Sequence, residues 1–292
     1  MVRWLVGDVV VYGKHVFCVG VCDAGVPDCK GSGLLSDTWS SGWLKFPYDP
    51  VLAAWVEAAK IAADAAVANP EMQRKWLQCE GTWFVGVDAL PNDASGAVHG
   101  SQGLTGAAMT FIDRYLEECP PLHPAQVSVI YPGYPKPRMG ESEAAFRFRK
   151  NRDAAHIDGI LPHGSARRRK LVEPHAFILG IPLNDCAADA GPLVVWPDSP
   201  DIIRRHLSLA FSEVDPAKWA DLDITKAYQA ARQEVFATCQ RLELSAKPGE
   251  AYLLHRLALH GVAPWRTRPE GRRMVAYFRP PWQGTLQKFL SK

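Results

Sequence analysis

The sequence predicts a mainly β protein with α-helices: a double-stranded β-helix (jelly-roll, cupin-like) core with N-terminal helices and a helical insertion. After Pro120 the chain consists of many short β-rich runs separated by Gly, Pro, Asn and Asp. That spacing is typical of a sandwich or barrel rather than of alternating strand–helix units. Before Pro120, alanine-rich and amphipathic segments predict helices that pack against such a sandwich.

Residues 1–120 are expected to form a helical and β layer. The Val-rich start favours a hairpin that turns at Gly13-Lys14, and the run "PVLAAWVEAAKIAADAAVA" has the composition of a helix. In chain order, the predicted elements are a hairpin within 1–22, helices over 50–68 and from Asn69-Pro70 to about Gln78, a strand over 82–90 and an amphipathic helix over 105–119.

Residues 121–282 are expected to form the jelly-roll core. Its predicted strands are "AQVSVIYP", "AAFRFR", "AAHIDGI", "HAFILGIPL", "GPLVVWP", "QRLELSA", "EAYLLH" and "RRMVAYF". Between 199 and 239 the pattern becomes helical, with Ser199-Pro200 as the cap and first-turn pair. We therefore predict a single domain over 1–292 with a helical insertion at 199–239.

The composition excludes several classes of protein. With 47% apolar residues, 22% charged residues and a formal charge of +2, nothing indicates binding to nucleic acid or to an anionic membrane surface. Apolar stretches stop well short of the roughly 18 residues that a membrane span needs. The seven cysteines are an odd number for a disulfide framework, which favours reduced thiols and a cytoplasmic location.

Four possible zinc ligands lie near the N-terminus: His15, Cys18, Cys22 and Cys29. Their spacing is irregular and includes no Cys-x-x-Cys pair. Small, semi-buried thiols in a Gly-rich segment are the favoured interpretation.

A histidine and an aspartate, His156 and Asp158, stand two residues apart in the otherwise apolar run "AAHIDGIL". On a strand these side chains project from one face, so they can form half of a metal site, an acid/base pair or a buried ion pair. A third ligand is expected from a strand that is distant in sequence. Of His255 and His260, we favour His260, because Gly261 after it leaves room for a co-substrate beside the ligand.

An arginine on the following strand completes the pattern. The turn at 269–271 leads into a strand on which Arg273, Val275 and Tyr277 share a face, while Arg272 faces the other way. Two histidines and one carboxylate are the ligand set of non-haem Fe(II) oxygenases. The open metal positions can take the 2-oxo acid end of 2-oxoglutarate and O₂, and the guanidinium of Arg273 suits its far carboxylate.

At these residues the sequence resembles the phytanoyl-CoA dioxygenase family of Fe(II)/2-oxoglutarate-dependent oxygenases. The stretches are "HIDGIL", "HAFILGIPLNDCAADAGPLVVWPDSP" and "LLHRLALHGVAPWRTRPEGRRMVAYF", within about 125–280. The resemblance implies that His156, Asp158 and His260 bind iron and that Arg273 binds 2-oxoglutarate, with succinate and CO₂ as co-products. The sequence departs from the family pattern at Asp198-Ser199-Pro200, where the family usually has Gly-Ser-His. The interval from His260 to Arg273 is also longer than the commonest form, which leaves Arg272 as an alternative to Arg273, although strand alternation would point it away. The retained Asp158 favours hydroxylation or another oxidation over halogenation, since related halogenases have Ala or Gly there.

Two other functions remain open: a zinc-dependent hydrolase or lyase on a jelly-roll scaffold, and a non-catalytic jelly-roll binding protein. His₂Asp can hold zinc with a water in the fourth position, but that interpretation leaves Arg273 without a role. The expected partner is a small-molecule substrate. The basic stretch 167–170 could attract an anionic one, although a solvated basic loop is the favoured interpretation of that stretch.

Overall fold

The computed structural model describes residues 8–12, 15–19, 39, 41–116 and 120–291. The strands are β1 (Asp8–Tyr12), β2 (His15–Val19), β3 (Trp43–Phe46), β4 (Leu77–Gln78), β5 (Trp83–Phe84), β6 (Gln126–Ile130), β7 (Ile160–His163), β8 (Arg168–Leu171), β9 (Phe177–Pro182), β10 (Leu193–Val195), β11 (Leu242–Leu244), β12 (Ala251–His255), β13 (His260–Val262) and β14 (Arg273–Phe278). The helices are α1 (Pro50–Ala68), α2 (Pro70–Trp76), α3 (Ala107–Tyr115), α4 (Glu143–Asn151), α5 (Ser199–Phe211), α6 (Thr225–Thr238) and α7 (Leu286–Phe289), with a 3₁₀ helix at Pro216–Asp221.

Two antiparallel sheets face each other in the core. The large sheet has the strand order β3-β12-β9-β14-β6-β5-β4, and the small sheet has the order β11-β10-β13. From β9 onward the chain passes from the large sheet to the small one, back at β12, across again at β13 and back at β14. A bridge between His156 and His260 adds the segment around residue 156 to the edge of the small sheet. This alternation is a double-stranded β-helix, so the predicted fold class is confirmed.

Helix α1 covers the outer face of the large sheet. Asp49 caps it by accepting a hydrogen bond from the Val51 amide, and Pro50 fits the first turn, where its missing N–H leaves no bond unmade. Its buried face runs from Leu52 to Val67 at helical spacing. That face packs on alternate residues of the sheet, among them Leu179, Leu253, Ala276 and Phe278. Each such large apolar side chain contributes about 1.5–3 kcal/mol on burial.

The inserted helices cover the small sheet in the same way. Ile203 and Leu207 of α5 and Tyr228 of α6 lie in one buried cluster with Val194 of β10 and with Ile157. The two sheets therefore have a helical layer on each outer side, and the space between them holds the side chains that point inward. The helices lie within the predicted insertion at 199–239.

Some local predictions were wrong. The run "AAFRFR" alternates like a strand, yet it lies in helix α4, because the Ser142 hydroxyl caps that helix by accepting from the Ala145 amide. The strand predicted over 82–90 is limited to Trp83–Phe84. Asp198, not Ser199, is the N-cap of α5; the Ser199 hydroxyl accepts a hydrogen bond from the Leu259 amide instead.

The described residues include only part of the N-terminal segment for which predictions were made. β1 and β2 pair as the predicted hairpin, with Tyr12 opposite His15. Cys22 and Cys29 of the possible zinc cluster lie outside the described residues. The extent of the domain over 1–292 stays a prediction. Among the helices of the described ranges, none combines the length and the apolar character needed to cross a membrane.

Candidate metal centre

His156 and His260 lie directly opposite each other on neighbouring backbone segments. The His156 amide donates to the His260 carbonyl at 2.8 Å, and the His260 amide donates to the His156 carbonyl at 3.1 Å. Residues that exchange both bonds in an antiparallel pair project their side chains from the same face. The two imidazole rings accordingly lie 4.5 Å apart between centroids. The backbone pairing thus brings together two side chains that are far apart in sequence.

Asp158 joins these two histidines. Its Oδ1 lies 3.1 Å from His156 Nε2, and its Oδ2 lies 3.9 Å from His260 Nε2. One potential ligand atom from each of the three side chains lies within 4.8 Å of the others. Ligand atoms placed about 2.1 Å from one ion are themselves about 3–4 Å apart, so one metal can reach all three. Among the described residues this is the only such group of three.

The hydrogen bonds of the rings orient them for metal binding. Nδ1 of His156 lies 2.9 Å from the Ala154 carbonyl, and Nδ1 of His260 lies 2.9 Å from the Ala258 carbonyl. A carbonyl can only accept, so Nδ1 carries the proton and Nε2 carries the lone pair in each neutral ring. Two nitrogen lone pairs and a carboxylate therefore converge, and neither ring directs an N–H at the carboxylate. A cation satisfies this arrangement, and ring N–H groups held by carbonyls are the usual support of metal-binding histidines.

The protonation states also suit a metal. Burial, followed by the charge of His156, lowers the pKa of His260 to about 4, so this ring is neutral at neutral pH. Burial by itself would raise the pKa of Asp158. The nearby Arg279 charge is the largest opposing contribution, and that pKa lies well below its usual range. Metal ligands must be deprotonated, and both of these groups are.

The other candidate histidine lies elsewhere. His255 ends β12 in the large sheet, whereas His260 begins β13 in the small one. The His255 ring accepts from the Leu257 amide at 3.0 Å and meets the ring of Trp39 edge-on. The prediction that Gly261 leaves room for a co-substrate beside His260 was wrong, however. A Cβ on Gly261 would lie 2.1 Å from the Asp153 carbonyl, so this glycine allows two backbone segments to approach and does not make room for a co-substrate.

Arg273 points into the space between the sheets and is only 5% exposed. Its Nη2 donates to the Tyr277 hydroxyl at 3.2 Å, while its Nη1 is buried without a hydrogen-bond partner among the described residues. Arg272 points the other way and pairs with Asp64 of α1. The alternation of the strand places both arginines as the sequence indicates.

Gly180 of β9 makes room beside Arg273. It lies opposite Tyr252 on one side and Tyr277 on the other. A Cβ at this position would lie 2.8 Å from the Tyr277 ring and 3.2 Å from the Tyr252 ring. Because residue 180 has no side chain, the rings of Tyr252 and Tyr277 can lie on either side of it. The Tyr277 hydroxyl is then in place to accept the hydrogen bond from Arg273.

Sequence reasoning missed Arg279. Its Nη1 lies 3.5 Å from Asp158 Oδ2, so it belongs to the immediate surroundings of the candidate metal ligands. The signal was present in the sequence, because Arg279 continues the alternation of Arg273, Val275 and Tyr277 by one further step.

The basic stretch 167–170 belongs to the β7–β8 hairpin. Arg168 lies 3.6 Å from Asp223, and Lys170 lies 3.0 Å from Asp221. Two of its cations thus already have carboxylate partners on the inserted segment.

No family model matches the chain, and no curated protein sequence matches it. The resemblance to the phytanoyl-CoA dioxygenase family therefore stays a prediction. Several solved structures are similar. The non-haem alpha-ketoglutarate-dependent carbocyclase SnoK from nogalamycin biosynthesis is 14% identical, with 90% of this chain and 94% of SnoK covered and a TM-score of 0.45.

EctD from S. alaskensis with bound Fe is 15% identical, over 88% of this chain and 78% of EctD, with a TM-score of 0.45. A Pseudomonas putida prolyl-4-hydroxylase is 13% identical, over 85% of this chain and 97% of that protein, with a TM-score of 0.40. These are proteins that the chain is similar to. The strand order described above is what defines its fold.

Proposed function

We propose that this protein is an Fe(II)/2-oxoglutarate-dependent oxygenase that hydroxylates or otherwise oxidises a small organic substrate. The observation that carries the proposal is the convergence of two imidazole Nε2 atoms and the Asp158 carboxylate inside a double-stranded β-helix. This ligand set occupies one side of a metal and leaves positions open for a co-substrate and O₂. The finer proposal, supported by the sequence stretches quoted above, is membership of the phytanoyl-CoA dioxygenase family.

Each residue has a separate role in this proposal. His156, Asp158 and His260 hold the metal. Arg273 binds the carboxylate of 2-oxoglutarate that does not chelate iron. A carboxylate in a buried site needs a charged or hydrogen-bonding partner, and Arg273 offers a buried Nη1 that has no partner of its own among the described residues. When bound, Fe(II), 2-oxoglutarate and O₂ together supply the oxidising chemistry, with succinate and CO₂ as co-products.

Arg273 is also what separates this proposal from its two rivals. A zinc hydrolase or lyase can use the same three ligands with a bound water, and a binding protein can use them for a structural ion. Neither requires an inward-facing cation on β14 with an unused donor. Burying such a cation is unfavourable unless it meets an anion, and 2-oxoglutarate supplies one.

The test is release of succinate by the purified protein. We expect slow succinate release that requires Fe(II), 2-oxoglutarate and O₂ together, and that increases when the true substrate is present in a screen. Activity that is supported by Zn²⁺ and independent of O₂ would favour the hydrolase or lyase. If the protein binds Fe(II) but not 2-oxoglutarate, the proposal is wrong.

A further inference from the structure

The large sheet brings a second cation to the opposite end of the strand that carries Arg273. Arg279 directly follows β14 and lies six residues beyond Arg273 on the same face, which is about 20 Å along a strand. Asp158 lies beside Arg279. Arg273 and Arg279 therefore approach the interior from opposite ends of one strand, and Arg279 is the one that lies beside the candidate metal ligands.

Within the described ranges, the Arg279 side chain has one ionic contact, and its Nε atom has no hydrogen-bond partner. Nη1 is directed at Asp158 Oδ2, at 3.5 Å. Nε is buried and has no hydrogen-bond partner among the described residues. Nε and Nη2 form the side-on edge of the guanidinium, and this edge matches the two oxygens of a carboxylate. Arg279 can therefore contact Asp158 through one nitrogen and still hold a second anion in bidentate fashion.

Two imidazoles lie around Arg279, at the same end of the neighbouring strands. His175 precedes β9 and bridges to Pro281, and His123 precedes β6. In both rings Nδ1 is buried without a hydrogen-bond partner in the described part of the chain. Burial, together with the nearby Arg279 charge, lowers the pKa of each ring. His175 therefore has an unused polar atom at this end of the sheet, whereas the Nε2 atom of His123 already lies 3.9 Å from Asp88.

The charges in the interior favour an anionic ligand at this end. In formal charges, Asp158 contributes −1, and Arg273 and Arg279 contribute +1 each. With Fe(II) and a 2-oxoglutarate dianion in place, these residues leave one positive charge uncompensated. An uncompensated buried charge is unfavourable, and a monoanionic ligand would neutralise it.

From these observations we propose that Arg279 anchors a carboxylate of the organic substrate, beside the metal and at the end away from Arg273. The proposal rests on the proposed function and names the chemical class of its substrate: a small carboxylic acid. The β7–β8 hairpin is the weaker candidate for this role, because Arg168 and Lys170 are already paired with Asp223 and Asp221.

The test uses matched pairs of probes: benzoate and benzamide, phenylacetate and phenylacetamide, and hexanoate and hexanamide. The protein is first saturated with Mn(II) and 2-oxoglutarate, so that the metal and Arg273 are occupied. Binding is measured by calorimetry and by the shift in unfolding temperature. We expect wild-type protein to bind at least one carboxylate more tightly than its amide. Arg279→Gln should weaken the binding of that carboxylate roughly tenfold or more, because the charged hydrogen bonds to it are lost.

Arg272→Gln is the matched control, because it removes a neighbouring arginine that faces the other side of the sheet. It should leave the preference for carboxylates unchanged. Equal binding of acid and amide by wild-type protein would overturn the proposal, and so would an unchanged preference in Arg279→Gln.

Metal binding is measured in the same variants, because Arg279 contacts Asp158. If Arg279→Gln weakens the metal site, Arg279→Lys replaces it as the test, since lysine keeps the charge but lacks the side-on edge. Weaker carboxylate binding by Arg279→Lys then supports the proposal, and undiminished binding contradicts it. If wild-type protein binds neither Fe(II) nor 2-oxoglutarate, the proposed function fails. The acid and amide pairs are then compared on the protein alone, so the two failures remain distinct.

Discussion

The two faces of the large sheet are built from alternate residues of the same strands, and they differ in chemistry. The outer face presents Leu179, Leu253, Ala276 and Phe278 to α1, and all of these are buried among apolar side chains. The inner face also carries apolar residues such as Ile178 and Leu254, but it includes buried polar side chains, namely Gln126, Ser128 and Arg273. One face stabilises the fold by apolar burial, and the other places donors and charges in a closed space.

The difference shows that buried positions on this sheet can serve either apolar packing or the placement of polar side chains. Arg272 and Arg273 are adjacent and have identical side chains, yet one pairs with Asp64 on the helical side and the other faces the interior with an unused donor. If Arg273 binds 2-oxoglutarate as proposed, stability and ligand binding depend on opposite faces of one strand. Substitutions on one face should leave the property of the other nearly unchanged, and this expectation can be tested directly.

The largest effect is expected at the candidate metal centre. Asp158→Ala should abolish 2-oxoglutarate turnover, because it removes the only carboxylate among the three ligand side chains. Loss of a residue that merely supports a ligand costs about 10–100-fold in metal affinity, so loss of the ligand itself should cost more. Two measurements check this outcome: a calorimetric titration with metal, and succinate release at limiting iron.

Asp153→Asn is a suitable control for the Asp158 variant. Asp153 is a buried aspartate in the same segment, but it is held by Arg241 through bonds of 2.6 and 2.8 Å. Its substitution should lower the free energy of unfolding and leave metal affinity within a few-fold. Full activity of Asp158→Ala at limiting iron would show that Asp158 is not a ligand.

The next effect separates the two neighbouring arginines. Arg273→Ala should raise the 2-oxoglutarate concentration needed for half-saturation roughly a hundredfold or more, since removing one partner of a buried ion pair costs about 3–5 kcal/mol. Metal binding should stay nearly intact. Arg272→Ala should change the 2-oxoglutarate requirement little, and its partly exposed pair with Asp64 should contribute at most about 1 kcal/mol to stability. The reverse ranking in a 2-oxoglutarate titration would mean that the strand register is wrong by one residue.

Much of the fold was predictable because it depends on short-range patterns. The helix over 50–68 follows from an alanine-rich run bounded by two cap-and-proline pairs, and it was predicted to the residue. The fold class follows from the number and spacing of β-rich runs. The failure at "AAFRFR" has the same origin: the last four of its residues alternate like a strand, but the Ser142 cap stabilises a helix that the alternation does not reveal.

The candidate site was only partly predictable, because its geometry depends on pairing between distant segments. Sequence patterns indicate four candidate residues without showing how they are arranged: His156, Asp158, His260 and Arg273. They could not show that the two histidines pair directly through their backbones, nor that the Ala154 and Ala258 carbonyls orient both rings. Arg279 was missed although it continues the alternation of β14, whereas the approach of His175 and His123 to it depends on the order of β9, β14 and β6 in the sheet.

The smallest effects are expected at Tyr277 and Phe278, which are neighbours on β14 and face opposite sides. Tyr277→Phe removes the hydroxyl that accepts from Arg273 Nη2 at 3.2 Å and keeps the ring that packs over Gly180. A hydrogen bond of this kind contributes about 0.5–1.5 kcal/mol, so 2-oxoglutarate affinity should fall roughly two- to tenfold. The free energy of unfolding should hardly change.

Phe278→Leu should show the opposite pattern. Phe278 is fully buried on the outer face, where its ring lies 5.9 Å from that of Trp55. Shortening it leaves a small cavity, and the free energy of unfolding should fall by about 1–2 kcal/mol, less than the roughly 3–5 kcal/mol of a full Phe→Ala truncation. Affinity for 2-oxoglutarate should remain that of the wild type. Denaturant unfolding and 2-oxoglutarate titration of both variants complete the comparison. If Phe278→Leu weakens 2-oxoglutarate binding as much as Tyr277→Phe does, the two faces of the sheet are coupled through β14 and are not independent.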